Sequence, residues 1–476
     1  MSGIQLGADG GRYADVAIVG GGLSGALLAM QLLHRPGPRR IVICEPRAQV
    51  GRGEAYSAVA LSHTLNGNAA RMSIDPDAPD DLTHWLTAYI DGGGWPESAL
   101  QQVPVAQLFP PREVFGTYAR QRLAEALASS PGSTLEHAQA EVVDLCINEQ
   151  GATLVLEGGV QWQAARVVLA TGVFTAVRTQ RTGNAAFSGL DPWDIQAMAA
   201  LPKDGRVIIV GAGLTMIDAL LSLEQAGHQG PIQVFSRHGL LPQPRRQPPD
   251  WEDFLAHWEG PATPRALSTE LRRHCRLAAE QGVDWQAPLD TVRAHVGRLW
   301  HQASEFHQRQ FVRHLRPWWE SHHHRSPPQG AALLQRLRTE GRLSIEAASL
   351  QSVVSTTQGV QLALRRRGEA ATCLIEGAAV INSSGIEYDW RRVAKPLPQR
   401  LLAQGLVKPG PLALGIDADD GGAVRDAAGQ ASSVLFSLGP PLRGLWWEST
   451  AVTDVAAQAK ALAIRLASTV SNLLPR

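Results

Sequence analysis

Asp15-Val16-Ala17-Ile18-Val19-Gly20-Gly21-Gly22-Leu23-Ser24-Gly25 is the stretch that decides the fold. Val16 to Val19 reads as a buried strand, the glycines as a sharp turn, and Ala26 to Leu33 as an apolar helix. A strand that turns tightly into a helix presents free N–H groups and the positive dipole end to an anion, and glycine permits that turn. The arrangement recurs where Arg206 to Val210 runs into Gly211-Ala212-Gly213-Leu214-Thr215-Met216. Together the two predict an α/β fold: two dinucleotide-binding, Rossmann-like domains with a helical insertion.

In the first turn, Gly20, Gly22, Leu23, Ser24 and Gly25 are expected against a pyrophosphate. The next strand, Arg40 to Cys44, delivers Glu45, where a carboxylate accepts ribose hydroxyls and repels a phosphorylated ribose, so this turn suits FAD. In the second turn, Gly211, Gly213, Leu214 and Thr215 take the same places, but Met216 replaces the third glycine and is expected to loosen the tightest helix-to-strand contact. The strand Pro231 to Phe235 ends in Ser236-Arg237-His238 rather than an acid. Hydroxyl plus guanidinium suits a 2'-phosphate and favours NADPH; the alternative is that Arg237 is only a solvated strand-end charge. Two such turns in one chain imply a fixed flavin nucleotide served by a mobile nicotinamide nucleotide.

The 476 residues are enough for two or three domains, and 44 basic residues balance 44 acidic ones. That balance points to a small-molecule partner rather than to nucleic acid. Cys44, Cys146, Cys275 and Cys373 stand far apart with no C-x-x-C, which argues for a reducing compartment and against a disulfide reductase or a zinc site. Val16 to Leu33 is uncharged over 18 residues, yet its four glycines divide it into strand, turn and helix. A cytoplasmic protein without membrane contact is expected, although the alanine-rich final helix, about Thr453 to Asn472, admits membrane docking as well as packing on the first domain.

Arg166 to Leu169 followed by Ala170-Thr171-Gly172 reads as a strand and small-residue turn returning along the first nucleotide, with Thr171 and Gly172 against it. Ala378 to Gly385 repeats that pattern, suggesting that the chain rejoins the first domain. The expected organisation is a first FAD part over 1–185, an NADPH domain over 186–240, a helical subdomain over 241–335 and a returning FAD part over 336–476. The helical segment holds Trp251, Trp258, Trp285, Trp300, Trp318 and Trp319, which serve either a substrate pocket or helix packing. His322-His323-His324-Arg325 cannot converge on one ion because adjacent side chains diverge; a partly solvated helix end is expected there, and no metal.

Gly51-Arg52-Gly53-Glu54-Ala55-Tyr56, Leu65-Asn66, Met72-Ser73, Pro76-Asp77, Trp85-Leu86, Pro111-Arg112, Tyr118, Asp191-Pro192-Trp193, Gly213 to Asp218, Ser236-Arg237 with Gly239 to Pro242, and Gly439 to Gly444 with Trp447-Glu448 cover nearly the whole chain. This string resembles the bacterial FAD/NAD(P)-binding proteins called YdhS-like, related to N-hydroxylating and other class B flavin monooxygenases. The resemblance implies FAD and NAD(P)H as cofactors. It implies Arg52 and the Glu54 to Tyr56 backbone, including Ala55, beside the pyrophosphate, and Asn66 and Met72 near the isoalloxazine. It further implies that the segment from Gly439 and Pro440 to Thr450 sets a helix start under the flavin pyrimidine; read alone, the same segment is a proline-glycine turn before a helix. The expected reaction is oxygenation of a small amine, amino-acid-like or sulfur-containing substrate by molecular oxygen, with Asn66 as the polar group nearest the chemistry. The alternatives are a reductase or dehydrogenase passing electrons to another acceptor, or a flavin-holding sensor.

Overall fold

A computed structural model describes residues 12–58, 60–148, 150–176, 178–179, 186–187 and 189–470. The expected boundary at 185/186 and the end of the last helix at Asn472 involve residues outside this set. Two compact units emerge, one of residues 1–61, 67–174 and 387–476, the other of 62–66 and 175–386.

In the first unit, Arg12–Val19 lies between Gln161–Leu169 and Arg40–Cys44, with Thr134–Ala138 beyond and Ala431–Ser437 on the other side, all parallel. Ala423–Arg425 closes that edge antiparallel. Such strands are covered on both faces, which explains why Val16 to Val19 and Ile41 to Cys44 are apolar without alternation. Val142–Asn148 and Gly151–Leu156 form an antiparallel meander leading into Gln161–Leu169. The helix Leu23–Leu33 is buried over ten of its residues. Leu27, Leu28 and Leu32 are almost wholly shielded from water, each side chain stabilising the fold by roughly 1.5–3 kcal/mol. The helix Val452–Val470 packs against it, so the final helix takes the domain-packing role, and among the described residues no helix is long and apolar enough to cross a membrane.

The second unit repeats this plan. Val207–Val210 lies between Ala379–Asn382 and Ile232–Ser236, followed by Leu343–Thr356, all parallel. Gly359–Arg366 and Thr372–Gly377 form its antiparallel meander. The chain therefore does not rejoin the first domain at 336. Strands from Leu343 to Asn382 complete the second sheet, and the return comes at Glu387. A buried strand ending in small residues is needed at the same point of both sheets, so Ala379–Asn382 matches Gln161–Leu169 in pattern while belonging elsewhere. Ser62–Asn66 also groups with the second unit, where His63, fully buried, shares a 2.9 Å hydrogen bond with Ser222.

Helices fill 264–339 of the second unit. Three tryptophans in and before these helices are used in packing. Trp251 donates to His274 Nδ1, Trp319 stacks on His323 at 4.5 Å, and Trp285 lies beside the Arg325 guanidinium. The helix end at His323 is not solvated as expected. Arg325 is wholly buried and bonds Gln286, Asp290 and the His322 carbonyl, while burial drives His323 well below the ordinary histidine range. A basic tract in sequence is here an internal tie.

Candidate functional site

The first turn is shaped by contacts that only glycine allows. Gly20 has φ +106°, and a Cβ there would overlap the Ala170 carbonyl oxygen; one on Gly25 would overlap the carbonyl oxygen of Gly20. Gly20 N–H donates to Cys44 O and Ala170 N–H to Val19 O, both at 2.9 Å, locking the turn between its neighbouring strands. Gly22 is the extended N-cap of Leu23–Leu33 and carries no side chain to satisfy the first-turn amides of that helix. Such amides, with the dipole end, suit an anion.

Glu45 is 4 % exposed and its Oε2 accepts from Gly21 N–H at 2.9 Å, while Oε1 accepts from Arg47 N–H at 3.0 Å. The carboxylate is thereby fixed over the glycine turn. The following loop folds back onto it: Gly51 N–H donates to Gly21 O at 2.7 Å, and a Cβ on Gly53, at φ +56°, would stand 2.9 Å from Gly22 Cα. Arg52 donates from Nη2 to Thr117 Oγ1 at 3.3 Å, and Arg112 donates to Ala55 O at 3.2 Å, so Arg52, Ala55 and Tyr56 are held under the helix Arg112–Ala128. Tyr56 packs on Phe115 with ring centroids 4.8 Å apart. Gly51 and Gly53 escaped a role in the sequence reading. Two glycines shortly after an acid, where a second loop must touch the first, were the available signal.

The carboxyl-terminal segment reaches the same turn. Gly439, at φ +75°, abuts the Ser24 side chain and donates its N–H to Gln458 Oε1 at 2.9 Å. A short 3₁₀ turn follows at Pro440–Leu442, and the helix itself begins at Val452, just after Thr450. Arg443, buried, donates to Thr450 Oγ1 at 3.1 Å, with its guanidinium over Trp447 at 4.4 Å and Tyr388 at 5.2 Å. Gln458 gave no signal, because a polar residue on an amphipathic helix reads as surface.

Thr171 follows Ala170 directly, and Gly172 has φ +69° with open space at its Cβ position. Met72 ends the short turn Ala69–Arg71, and the Tyr118 hydroxyl accepts from Ile74 N–H at 3.4 Å and donates to Asp81. Asn66 is half-buried and stands last in the segment grouped with the second unit. The turn, Glu45, the Arg52 loop, Thr171 and Gly439 are thus gathered around one strand end. Met72 closes off Gly67, its Sδ standing 2.8 Å from the position a Cβ would take there. The group fits a dinucleotide: buried Thr171 Oγ1 and Arg52 Nε have no hydrogen-bond partner among the described residues, and Gly20 and Gly25 leave no room for side chains. The buried Cys44 thiol is pushed up to about 12 by desolvation first and then by Glu136, so it remains a neutral, inert thiol.

The second unit carries a turn of the same build. Gly211 has φ +107°, a Cβ there would overlap Ser383 O, and its N–H donates to Phe235 O at 2.9 Å. Gly213 is the extended N-cap of Leu214–Gln225 with nothing within 4 Å of its Cβ position. Leu214 and Thr215 occupy the first turn of that helix, half-exposed. Met216 does not loosen this contact into a void. Its side chain is wholly buried in the core with Val207, Ile209 and Leu220. Val210 pairs with Phe235 as Val19 pairs with Cys44, so Ser236 stands where Glu45 stands in the first unit. Ser236 Oγ accepts from Gly239 N–H at 3.0 Å, and Arg237 is exposed. Among the described residues no cluster of three His, Cys, Asp or Glu could hold a metal ion.

Residues 17–174 match a family model described as FAD-NAD(P)-binding, so the first unit carries an FAD/NAD(P)-binding domain. No curated protein matches the sequence. Among solved structures, the chain resembles the Kutzneria sp. 744 ornithine N-hydroxylase, at 11% identity over 96% of this chain and 100% of that one, with TM-score 0.65. It also resembles the L-lysine 6-monooxygenase of Pseudomonas syringae, at 15% identity over 96% and 100%, with TM-score 0.65. The cadaverine monooxygenase DfoA of Erwinia amylovora aligns at 12% identity over 96% and 95%, with TM-score 0.62. At such identities the likeness establishes a shared fold.

Proposed function

We propose that the protein is an FAD-dependent, NADPH-consuming monooxygenase of the cytoplasm that oxygenates a small amine, amino-acid-like or sulfur-containing substrate. The observation that carries this reading is the pairing of two turns of one build with different strand-end residues. Glu45 suits the unphosphorylated ribose of FAD, and Ser236 with Arg237 suits the phosphorylated ribose of NADPH. The aligned structures, whose names are those of amine and amino-acid oxygenating enzymes, support the reaction class.

A bound flavin would supply hydride acceptance and oxygen activation. Gly20, Gly22, Leu23, Ser24 and Gly25 line the turn that binds its pyrophosphate, Arg52 adds positive charge with the Ala55 and Tyr56 backbone beside it, and Thr171 and Gly172 border the same nucleotide. Gly439, Pro440 and Thr450 lead to the helix start whose amides and dipole favour negative charge on the ring. Gly211, Gly213, Leu214 and Thr215 bind the second pyrophosphate. With the flavin bound, Met72 would shield the ring, and Asn66 would supply the polar contact that orients the substrate heteroatom. Asn66→Ala then leaves NADPH binding intact and lowers the yield of oxygenated product per NADPH; unchanged coupling removes that role.

The reading is tested by NADPH oxidation in air with diamines, basic amino acids and thioethers, measuring oxygenated product against hydrogen peroxide. One class should raise NADPH consumption with matching product. Turnover only with a non-oxygen acceptor under anaerobic conditions would make the protein a reductase instead.

A further inference from the structure

Two segments far apart in sequence converge on one residue of the second sheet, Ala347. Ser236 pairs with Ala347 across parallel strands, and the turn that follows Ser236 brings Gly239 to 3.4 Å from it, measured from the position a Cβ would take. From the opposite side, the tip joining Gly359–Arg366 to Thr372–Gly377 returns to the same place, where Arg367 N–H donates to Ala347 O at 2.7 Å. Arg237, His238 and Arg367 are therefore gathered at the strand end that in the first unit carries Glu45.

The charge balance there is one-sided. Glu346, next to Ala347, is engaged by Arg366 at 2.9 Å and by Gln233 at 3.1 Å. Neither Arg237 nor Arg367 forms an ion pair among the described residues, and both are exposed. The His238 imidazole is held below its ordinary range by burial, then by Arg367, then by Arg237, so both guanidinium groups act on it. Glu369, at the same tip, acts on Arg366 as Glu346 does. Two arginines that hold no carboxylate of their own repel one another, and a bound anion reverses that cost. A phosphate monoester brings roughly −1.5 to −2 charges and three strong acceptors, and arginine matches it bidentately.

We infer that Arg367 is a specificity-determining residue that closes a two-sided clamp with Arg237 and His238 on the 2'-phosphate of NADPH. The inference rests on the second turn being a nicotinamide-nucleotide site. It adds a residue from the meander tip to the strand-end pair.

Calorimetric titration of the flavin-loaded protein with adenosine 2',5'-bisphosphate, together with KM values for NADPH and NADH, tests it. Arg367→Ala should weaken bisphosphate binding and raise the NADPH KM by roughly 10- to 100-fold, with the NADH KM unchanged and partial recovery in Arg367→Lys. Unchanged bisphosphate affinity, or equal losses for NADPH and NADH, overturns the clamp. A native protein that binds the bisphosphate and favours NADPH, with both properties surviving in Arg367→Ala, refutes the role of Arg367 while leaving the nucleotide site standing. A native protein that recognises neither nucleotide refutes both.

Discussion

The two glycine turns share a backbone and differ in what surrounds it. Gly20 and Gly211 adopt φ near +106° and +107°, each donating to the end of the next strand at 2.9 Å and each pressed against a returning carbonyl. Around that constant, the first turn is crowded: Gly21 faces Glu45, Gly22 faces Gly53, and Gly25 faces Gly20. The second is open at Gly213 and replaces the third glycine by a buried methionine. Crowding forbids any side chain at Gly20 and Gly25 of the first turn, and openness tolerates one at Gly213. The backbone is common to both turns, and the neighbours make them differ.

The strongest way to break this comparison is Met216→Gly, which restores the simple fingerprint. If Met216 is a core residue rather than a defect, the change empties a buried site and places glycine in a helix, costing about 3–5 kcal/mol in denaturant unfolding. A neutral or stabilising result would mean that the two turns have the same packing need. Next in size is a pair of alanines. Gly25→Ala forces a methyl into a backbone carbonyl and should cost about 2–3 kcal/mol, with the protein purified free of flavin. Gly213→Ala, entering open space, should change stability by less than about 0.5 kcal/mol and keep the flavin.

Ser236→Glu sharpens the comparison at the strand ends, because it gives the second turn the acid of the first. It should shift the KM ratio of NADPH to NADH toward NADH by roughly 10- to 100-fold, as a carboxylate faces the 2'-phosphate. The smallest effect concerns Cys44 and Phe235, which hold the same register. With the Cys44 thiol at about 12, it is un-ionised below that pH, so a thiol reagent at neutral pH should label exposed Cys146 and reach Cys44 only on unfolding. Rapid native labelling of Cys44 would mean that this strand end is open.

What the sequence disclosed was local. Strand, turn, helix and following acid lie within Asp15 to Glu45, and each is specified by its own residues. What it hid depends on pairing at long range. Ala379–Asn382 and Gln161–Leu169 carry the same pattern, and only the partner strand decides which sheet each joins. Arg367 reads as one charge in Arg365-Arg366-Arg367 until strand pairing brings it to Ala347. Arg325 reads as a solvated cation because Gln286 and Asp290, which bury it, lie more than thirty residues away. Gln458 is revealed only by the crossing of the last helix over Gly439.

Anaerobic titration of the purified protein with NADPH, followed by its visible spectrum, tests the central claim most directly. The account predicts a yellow protein holding one FAD per chain, whose colour bleaches on adding NADPH and far more slowly with NADH. A colourless preparation that takes up no flavin on reconstitution would contradict it.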